Sequence, residues 1–442
     1  MENSILPRVL IVCRNVWDDT QGTSSTLTNL FQNYDADKLA HIYIETKKPN
    51  TRCCKLFFQI SEYSLVHKIL HWKTKTGFCI NTETNNVVVA DEKIAAQEEN
   101  TMSFIRKNRS IFFTFLRELL WLLNGWRSQE LKSFITDFNP DVIFLDGSPL
   151  VLMNRINRFV LKVSKKPGVI LLMDDNYTYK SCKGNYPYCV YKYFLRKSIK
   201  SLVDKCDKVF VYSPKMKKEY DGIFGIDSIF LTKGIDFSKI NYKSYEVQSP
   251  IKLVYLGQVI YGRIYSLIAI AEALGKINSN GVKMQLYIYT NNPISDDLKN
   301  KLVIKDSVFL MNPVPYTEVP NVIAESDVVL FVESFTQRYK NTARLSFSTK
   351  ITDYLSSSKC ILAIGPADIA PIEYFMEEDA AVVVTDKNQI QRKLEYLCDQ
   401  DVINKYSRKG FECARRNHDM IVVDNLLKST LKNASKFSIS NV

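Results

Sequence analysis

Short apolar runs rich in Val, Ile and Leu, each followed by a polar turn and then by a helical pattern, recur along most of this chain. RVLIVC (residues 8–13) leads into the turn WDDTQGTSS and the helical stretch TLTNLFQNY. That order of strand, glycine-bearing loop and helix is the repeating unit of a parallel sheet, because parallel strands need long crossovers, normally helical and right-handed. Further strands are predicted at HIYIE (41–45), PDVIFLD (140–146), GVILLMDD (168–175) and CDKVFVYS (206–213). Residues 51–135 contain amphipathic helices, but their strands do not separate by period.

Residues 238–250, SKINYKSYEVQSP, are polar and aperiodic, as linkers are. The same grammar then restarts. IKLVYLG (251–257), MQLYIYT (284–290), SVFLMNPV (307–314), DVVLFVES (327–334) and AAVVVT (380–385) read as strands. YSLIAIAEALGKI (265–277), SDDLKNKL and TEVPNVIAES (317–326) read as the helices between them. With 442 residues, two domains are expected in any case. The sequence therefore predicts an α/β protein of two Rossmann-like domains, 1–240 and 250–405. A long helical tail, 406–442, is expected to pack back on the first.

Net charge is +12, which favours an anionic ligand or surface. No zinc-ribbon spacing, recognition helix or RNP-like motif accompanies it, so nucleic acid is not expected as a partner. The ten cysteines are scattered without a C-x-x-C pair, and the four histidines lack metal-ligand spacing. The N-terminus runs straight into a strand, and no stretch reaches the roughly 18 apolar residues of a spanning helix, so a cytoplasmic protein is expected. Residues 104–126, FIRKNRSIFFTFLRELLWLLNGW, mix large apolar with basic side chains. They suit either an amphipathic helix lying on an anionic membrane or a packed helix with a basic outer edge.

Open α/β sheets bind ligands beyond the carboxyl ends of their strands. In the second half, three loops fall on that edge. LGQVIYGRIYSL places Gly257 at a strand end, Gly262 in the turn and Arg263 at the next helix, where a guanidinium can fork onto a diphosphate. VESFTQRYKNTARL has Glu333 at a strand end, suited to a sugar hydroxyl or to a cap, followed by a long polar loop. SFSTKITDYLSSSKCILAIGP sets Ser348, Thr349 and Lys350 before a short helix carrying Asp353. This is either an anion cradle or an ordinary helix cap. In the first half, Gly22 suits either a close approach of the backbone to a ligand or an ordinary turn, and Asp174 and Asp175 end a strand, where Asp175 suits an acceptor-activating acid or a helix cap.

YLGQVIYGRIYSL, VLFVES, SFSTKITDYLSSSKCILAIGP and the terminal NHD helix together resemble the C-terminal domain of a GT-B glycosyltransferase of the family 4 type found in bacterial capsule, exopolysaccharide and O-antigen synthesis. The resemblance spans roughly 175 residues of the second half; the first half matches mainly through RNVWDDTQGTSSTL. It implies two domains facing a central cleft, a nucleotide-diphosphate sugar as donor, no metal cofactor, and retention of configuration. The implied acceptor is a glycan or lipid-linked glycan at the inner face of the cytoplasmic membrane, with peripheral membrane contact. By the same resemblance Gly257, Arg263, Ser348, Thr349 and Lys350 hold the diphosphate, Asp353 stands where the family has a ribose-binding glutamate, and Gly22 approaches the donor.

One departure concerns the family's first glutamate, separated from the second by seven intervening residues: counted back from Asp353, that register falls on Leu345 here. Either Glu333 or Arg344 then substitutes, or the site is reorganised. Two other readings remain open, a non-catalytic partner of the same fold and a nucleotide-sugar epimerase, although the supply of histidines is poor for the latter. A NAD-dependent dehydrogenase would carry G-x-G-x-x-G after the first strand, and RNVWDDTQGTSS does not.

Overall fold

The computed structural model describes residues 6–19, 25–83, 111–123, 125–182 and 186–437. The chain divides into two compact units, one of Met1–Tyr212, Lys217–Leu231 and Val423–Val442, the other of Ser213–Met216 and Thr232–Val422. Each is built around one parallel sheet.

In the first unit the chain order is β1 (Val9–Val12), α1 (Ser25–Phe31), β2 (Leu39–Tyr43), β3 (Leu56–Ile60), α2 (Glu62–Leu70), β4 (Gly77–Asn81), α3 (Ile111–Leu122), α4 (Gln129–Phe138), β5 (Val142–Asp146), α5 (Val151–Ser164), β6 (Gly168–Leu172), α6 (Tyr186–Val203), β7 (Lys208–Val211), α7 (Pro214–Phe224) and β8 (Ile229–Phe230). The sheet order is β4-β3-β2-β1-β5-β6-β7-β8, parallel except for β4, which pairs antiparallel with β3. β1 sits centrally, with Val9, Leu10, Ile11 and Val12 fully buried, which is why RVLIVC reads as a continuous apolar run rather than an alternating one. β4 is the edge strand, and its sequence GFCIN is short and mixed in polarity. That weak pattern is what made residues 51–135 hard to parse.

The second unit runs β9 (Ile251–Leu256), α8 (Arg263–Ile277), β10 (Met284–Tyr289), α9 (Asp296–Leu302), β11 (Val308–Met311), α10 (Val319–Ala324), β12 (Val328–Val332), α11 (Gln337–Ala343), α12 (Lys350–Ser356), β13 (Cys360–Ile364), α13 (Ala370–Glu377), β14 (Val382–Val384), α14 (Ile390–Tyr396) and α15 (Gln400–Asn417). Its sheet order is β11-β10-β9-β12-β13-β14, all parallel. Strand order reverses between β9 and β12, so the loops leaving those two strands diverge and open a crevice at their carboxyl ends. Leu253, Val254, Leu330, Leu362 and Leu286 form the dry centre of this sheet, each contributing on the order of 1.5–3 kcal/mol by burial.

Two stretches depart from expectation for identifiable reasons. Residues 238–250, read as a linker, are strapped to the second unit by specific bonds rather than by a period. The Tyr245 hydroxyl donates to the Asp327 carbonyl at 2.7 Å, the Lys243 amide to Ser358 Oγ at 3.2 Å, and Val247 joins the core. The terminal helical stretch is two helices, α15 and α16 (Met420–Phe437), broken at His418. There the imidazole is fully buried, with Thr232 Oγ1 at 2.9 Å on one ring nitrogen and the Tyr374 hydroxyl at 2.8 Å on the other. A side chain pinned on both nitrogens cannot follow the helix surface. The long polar loop expected after Glu333 also contains a short helix, α11.

Candidate active site

The crevice at the β9–β12 switch point collects most of the residues that the sequence singles out. Arg263, the first residue of α8, reaches back to Glu333 just beyond β12 in a fork, Nε to Oε2 at 3.0 Å and Nη2 to Oε1 at 2.6 Å. Such paired, charge-assisted bonds fix the plane of the guanidinium. Burial disfavours the Arg263 charge, but Glu333 more than offsets this and holds its pKa above the ordinary value. Glu333 itself is buried, and its carbonyl accepts from Ser266 Oγ at 2.9 Å. In this state it serves as the counter-ion of Arg263.

Lys350, the first residue of α12, extends to the end of β9, where its ammonium donates to the Leu256 carbonyl at 2.7 Å. The residue is exposed along its length, but its ammonium is tucked against the strand end. Desolvation, reinforced by the Arg263 charge, lowers its pKa to about 8. Two cations therefore stand in one crevice, with Arg263 satisfied by a carboxylate and Lys350 by a carbonyl alone. An anion entering there gains from both.

Backbone choices make room for this pair. A Cβ on Gly257 would lie 2.5 Å from Lys350 Nζ, so glycine is required for the ammonium to reach Leu256. Gly262 has φ +74°, and a Cβ there would meet Ser334 Oγ and the Tyr339 ring at 2.6 Å. Tyr261 just before it is also left-handed, at φ 56°, which is unusual for a bulky side chain and marks a strained turn at the mouth of the crevice.

The short helix α12 is not capped by its hydroxyls. Thr349 is already helical, at φ −59° and ψ −22°, and makes no side-chain cap bond; Ser348 Oγ accepts only a long 3.4 Å bond from the Lys350 amide. Ser348 lines a small recess of about 60 Å³ with Tyr255, Arg263, Glu333 and Lys350. A larger cavity of about 280 Å³ adjoins it along the carboxyl ends of β9, β10 and β11, with Gly257, Thr290, Pro313, Tyr316, Lys350 and Asp353 among its walls. Asp353, in the first turn of α12, pairs with the ammonium of Lys233.

The sequence reading missed Lys233 and the loops after β10 and β11. TNNP and NPVP follow strands of the same sheet, so they end on the same edge; that signal was available. Lys233 lies 120 residues from Asp353, and no local pattern reveals that pairing. Leu345, in the register of the family's first glutamate, is fully buried, with its carbonyl accepting from Ser213 Oγ at 3.0 Å. Arg344 is likewise buried.

The other two nominated residues belong to the first unit. Gly22 lies outside the described residues. Asp175 accepts from the Thr178 amide at 2.8 Å, from Thr178 Oγ1 at 2.5 Å and from the Tyr220 hydroxyl at 3.3 Å, while its carbonyl takes the Lys192 ammonium at 3.1 Å. It is a loop clamp with its oxygens occupied. The acid with shifted chemistry on that edge is Asp146, at the end of β5, whose pKa burial and the nearby Asp174 raise to about 6 against a partial offset from Arg14.

No known family profile and no curated protein matches the sequence. Solved structures do match the fold. TarM aligns over 98% of this chain and all of its own, with a TM-score of 0.61 at 11% identity. Sucrose-phosphate synthase from Thermosynechococcus elongatus aligns over 96% of this chain and 98% of its own, with a TM-score of 0.61 at 10% identity. A trehalose-6-phosphate protein from E. coli, bound with UDP-2-fluoro glucose, aligns over 97% and 99%, with a TM-score of 0.57 at 9% identity. These are GT-B glycosyltransferases, and the present chain has their fold, two Rossmann-like domains built on parallel sheets.

Proposed function

We propose that this protein is a glycosyltransferase whose second unit binds a nucleotide-diphosphate sugar, and that it passes the sugar to a glycan or lipid-linked glycan in surface polysaccharide synthesis. The observation that carries the reading is the convergence of Arg263 and Lys350 on one crevice at the β9–β12 switch point of a GT-B fold. In this reading the diphosphate lies between the two cations and Ser348 and Thr349. The nucleoside occupies the adjoining cavity, with Asp353 positioned for the ribose. The E. coli neighbour, bound with UDP-2-fluoro glucose, supports a nucleotide sugar as the donor class.

The chemical work assigned to these residues is electrostatic. As the glycosidic bond to the donor phosphate breaks, charge grows on the leaving diphosphate, and preorganised cations stabilise that charge more than the ground state. Arg263 and Lys350 supply the positive charge, so the reading invokes no metal. Glu333 orients Arg263 through its fork. Retention of configuration, a cytoplasmic location and contact with the inner face of the membrane belong to the same proposal, since a lipid-linked acceptor is presented there.

A non-catalytic role is the second reading, favoured by one observation. The register of the family's first glutamate holds the buried Leu345, and Glu333, the acid offered as its substitute, is engaged by Arg263. Release of nucleoside diphosphate from a panel of nucleotide sugars, with and without a lipid-linked glycan fraction, separates the two. Release by the wild type that is lost in Lys350→Ala and Arg263→Ala is the expected result. Nucleotide binding without release under either condition supports the non-catalytic reading.

A further inference from the structure

Helix α3 is mounted with its polarity reversed. Its two charged residues face inward. Arg117 forks onto Glu62 of α2, Nε to Oε1 at 2.5 Å and Nη2 to Oε2 at 2.8 Å, and Trp121 Nε1 donates to the same carboxylate at 2.6 Å. Glu118 is buried and accepts from the Leu152 amide at the start of α5 at 3.0 Å and from the Tyr191 hydroxyl of α6 at 3.2 Å. The other side of α3 offers Leu116, Leu119, Leu122 and Leu123 to the outside, each more than half exposed. An ordinary surface helix does the opposite.

The neighbouring helices continue this face. α3 packs between α2 and α6. From α2 and its end come Val66, Ile69, Leu70 at 81% exposure and Trp72 at 77%; from α6 come Val190, Tyr193 and Phe194. An apolar surface of this extent exceeds the scattered exposed side chains usual on a monomer. The three segments that build it are basic at their surface, although the exposed Glu130 of α4 lies near Lys75 and Lys68. In residues 62–76, 111–123 and 186–197 the only acids are Glu62 and Glu118, both buried, whereas Lys73, Lys75 and Lys197 are exposed. Lys73 lies over the Trp72 ring and Lys197 over the Tyr193 ring, so basic heads stand beside aromatic ones.

We infer that the outward face of α2, α3 and α6 seats the protein on an anionic lipid bilayer. Leucines and aromatics enter the headgroup boundary, while Lys73, Lys75 and Lys197 meet lipid phosphates, the arrangement of an interfacial amphipathic surface. The buried Arg117–Glu62 and Glu118 contacts hold α3 in place, so the chain's own charges need not enter the membrane. Among the described residues no helix is long and apolar enough to cross a membrane, which fits a seat rather than a span. The use of such a seat rests on the lipid-linked acceptor proposed above; the seat itself is tested without it.

Trp72 provides the readout. Of the four tryptophans, Trp17, Trp121 and Trp126 are buried and Trp72 is exposed, so a change in emission on adding vesicles reports Trp72. The full chain is floated with vesicles of phosphatidylcholine containing phosphatidylglycerol, and with phosphatidylcholine alone. Expected are flotation with the anionic vesicles, a blue shift of emission, and loss of both on raising salt. Leu119→Glu with Leu122→Glu, and separately Lys73→Glu with Lys75→Glu, should each lower the vesicle-bound fraction at least tenfold, with melting temperature and nucleotide response unchanged. Wild type that stays unbound, or variants that float as wild type does, overturn the inference. A dimer in sedimentation that the Leu119/Leu122 variant dissolves would assign the face to a second copy and overturn it too.

Discussion

Gly257→Ala is the most discriminating small change at the proposed donor site. The added methyl would stand 2.5 Å from Lys350 Nζ and 3.4 Å from the Tyr255 hydroxyl, and only the second is an ordinary contact. Restoring 3.4 Å requires the ammonium to retreat by about 0.9 Å, which breaks its 2.7 Å bond to the Leu256 carbonyl. The clash is with the far end of a flexible side chain, so the fold accommodates it. Loss of the bond and the gain from a stiffer unfolded chain roughly cancel, leaving stability within about 1 kcal/mol of wild type. Nucleotide binding is a different matter. A charge-assisted contact to phosphate is worth roughly 1.5–3 kcal/mol, or about ten- to a hundredfold in Kd. Calorimetric titration with the nucleoside diphosphate that binds wild type should show that loss at an unchanged melting temperature. A Kd within about twofold of wild type would refute the assignment of Lys350 as an anion contact.

Three further outcomes follow from the same geometry. Gly262→Ala should lower stability by about 2–4 kcal/mol, visible as a reduced melting temperature, because the methyl meets Ser334 and Tyr339 at a φ of +74°. Nucleotide affinity of the wild type should hold steady below about pH 7 and weaken as pH rises through about 8, where Lys350 loses its proton before the anion arrives; Lys350→Arg should bind without that decline. His418 is buried neutral, with a pKa lowered to about 4 by desolvation. Its depressed folded-state value means that stability is fully present above pH 6.5 and lost as pH falls towards 4, by about 3 kcal/mol. The melting temperature of His418→Gln should therefore fall less steeply between pH 6.5 and 4.

The two parallel sheets were legible because their central strands are buried on both faces and are written as unbroken apolar runs, as in Val9–Val12 and Val328–Val332. Gly257, Arg263 and Lys350 were legible for a related reason. Each lies within a few residues of such a strand end or helix start, where geometry follows from local order. What decides the state of the site lies at long range. The Arg263–Glu333 fork joins residues 70 apart, and the Lys233–Asp353 pair joins residues 120 apart. The helix within 104–126 was legible, but the direction of its charges was not: Arg117, expected on an outer basic edge if the helix packed, instead faces Glu62, while Arg106, Lys107 and Arg109 lie outside the described residues. The strap at 238–250 escaped because its anchors are single hydroxyls and amides rather than a period.

The most direct test of the central claim is thermal stabilisation of the purified full chain by UDP-, GDP-, CMP- and ADP-sugars, run in parallel on wild type and Lys350→Ala. A rise in melting temperature with one nucleotide, absent in the variant, is the predicted result; it would place that nucleotide on Lys350 and identify the donor base. No shift with any nucleotide, or an equal shift in both proteins, would contradict the donor site described here.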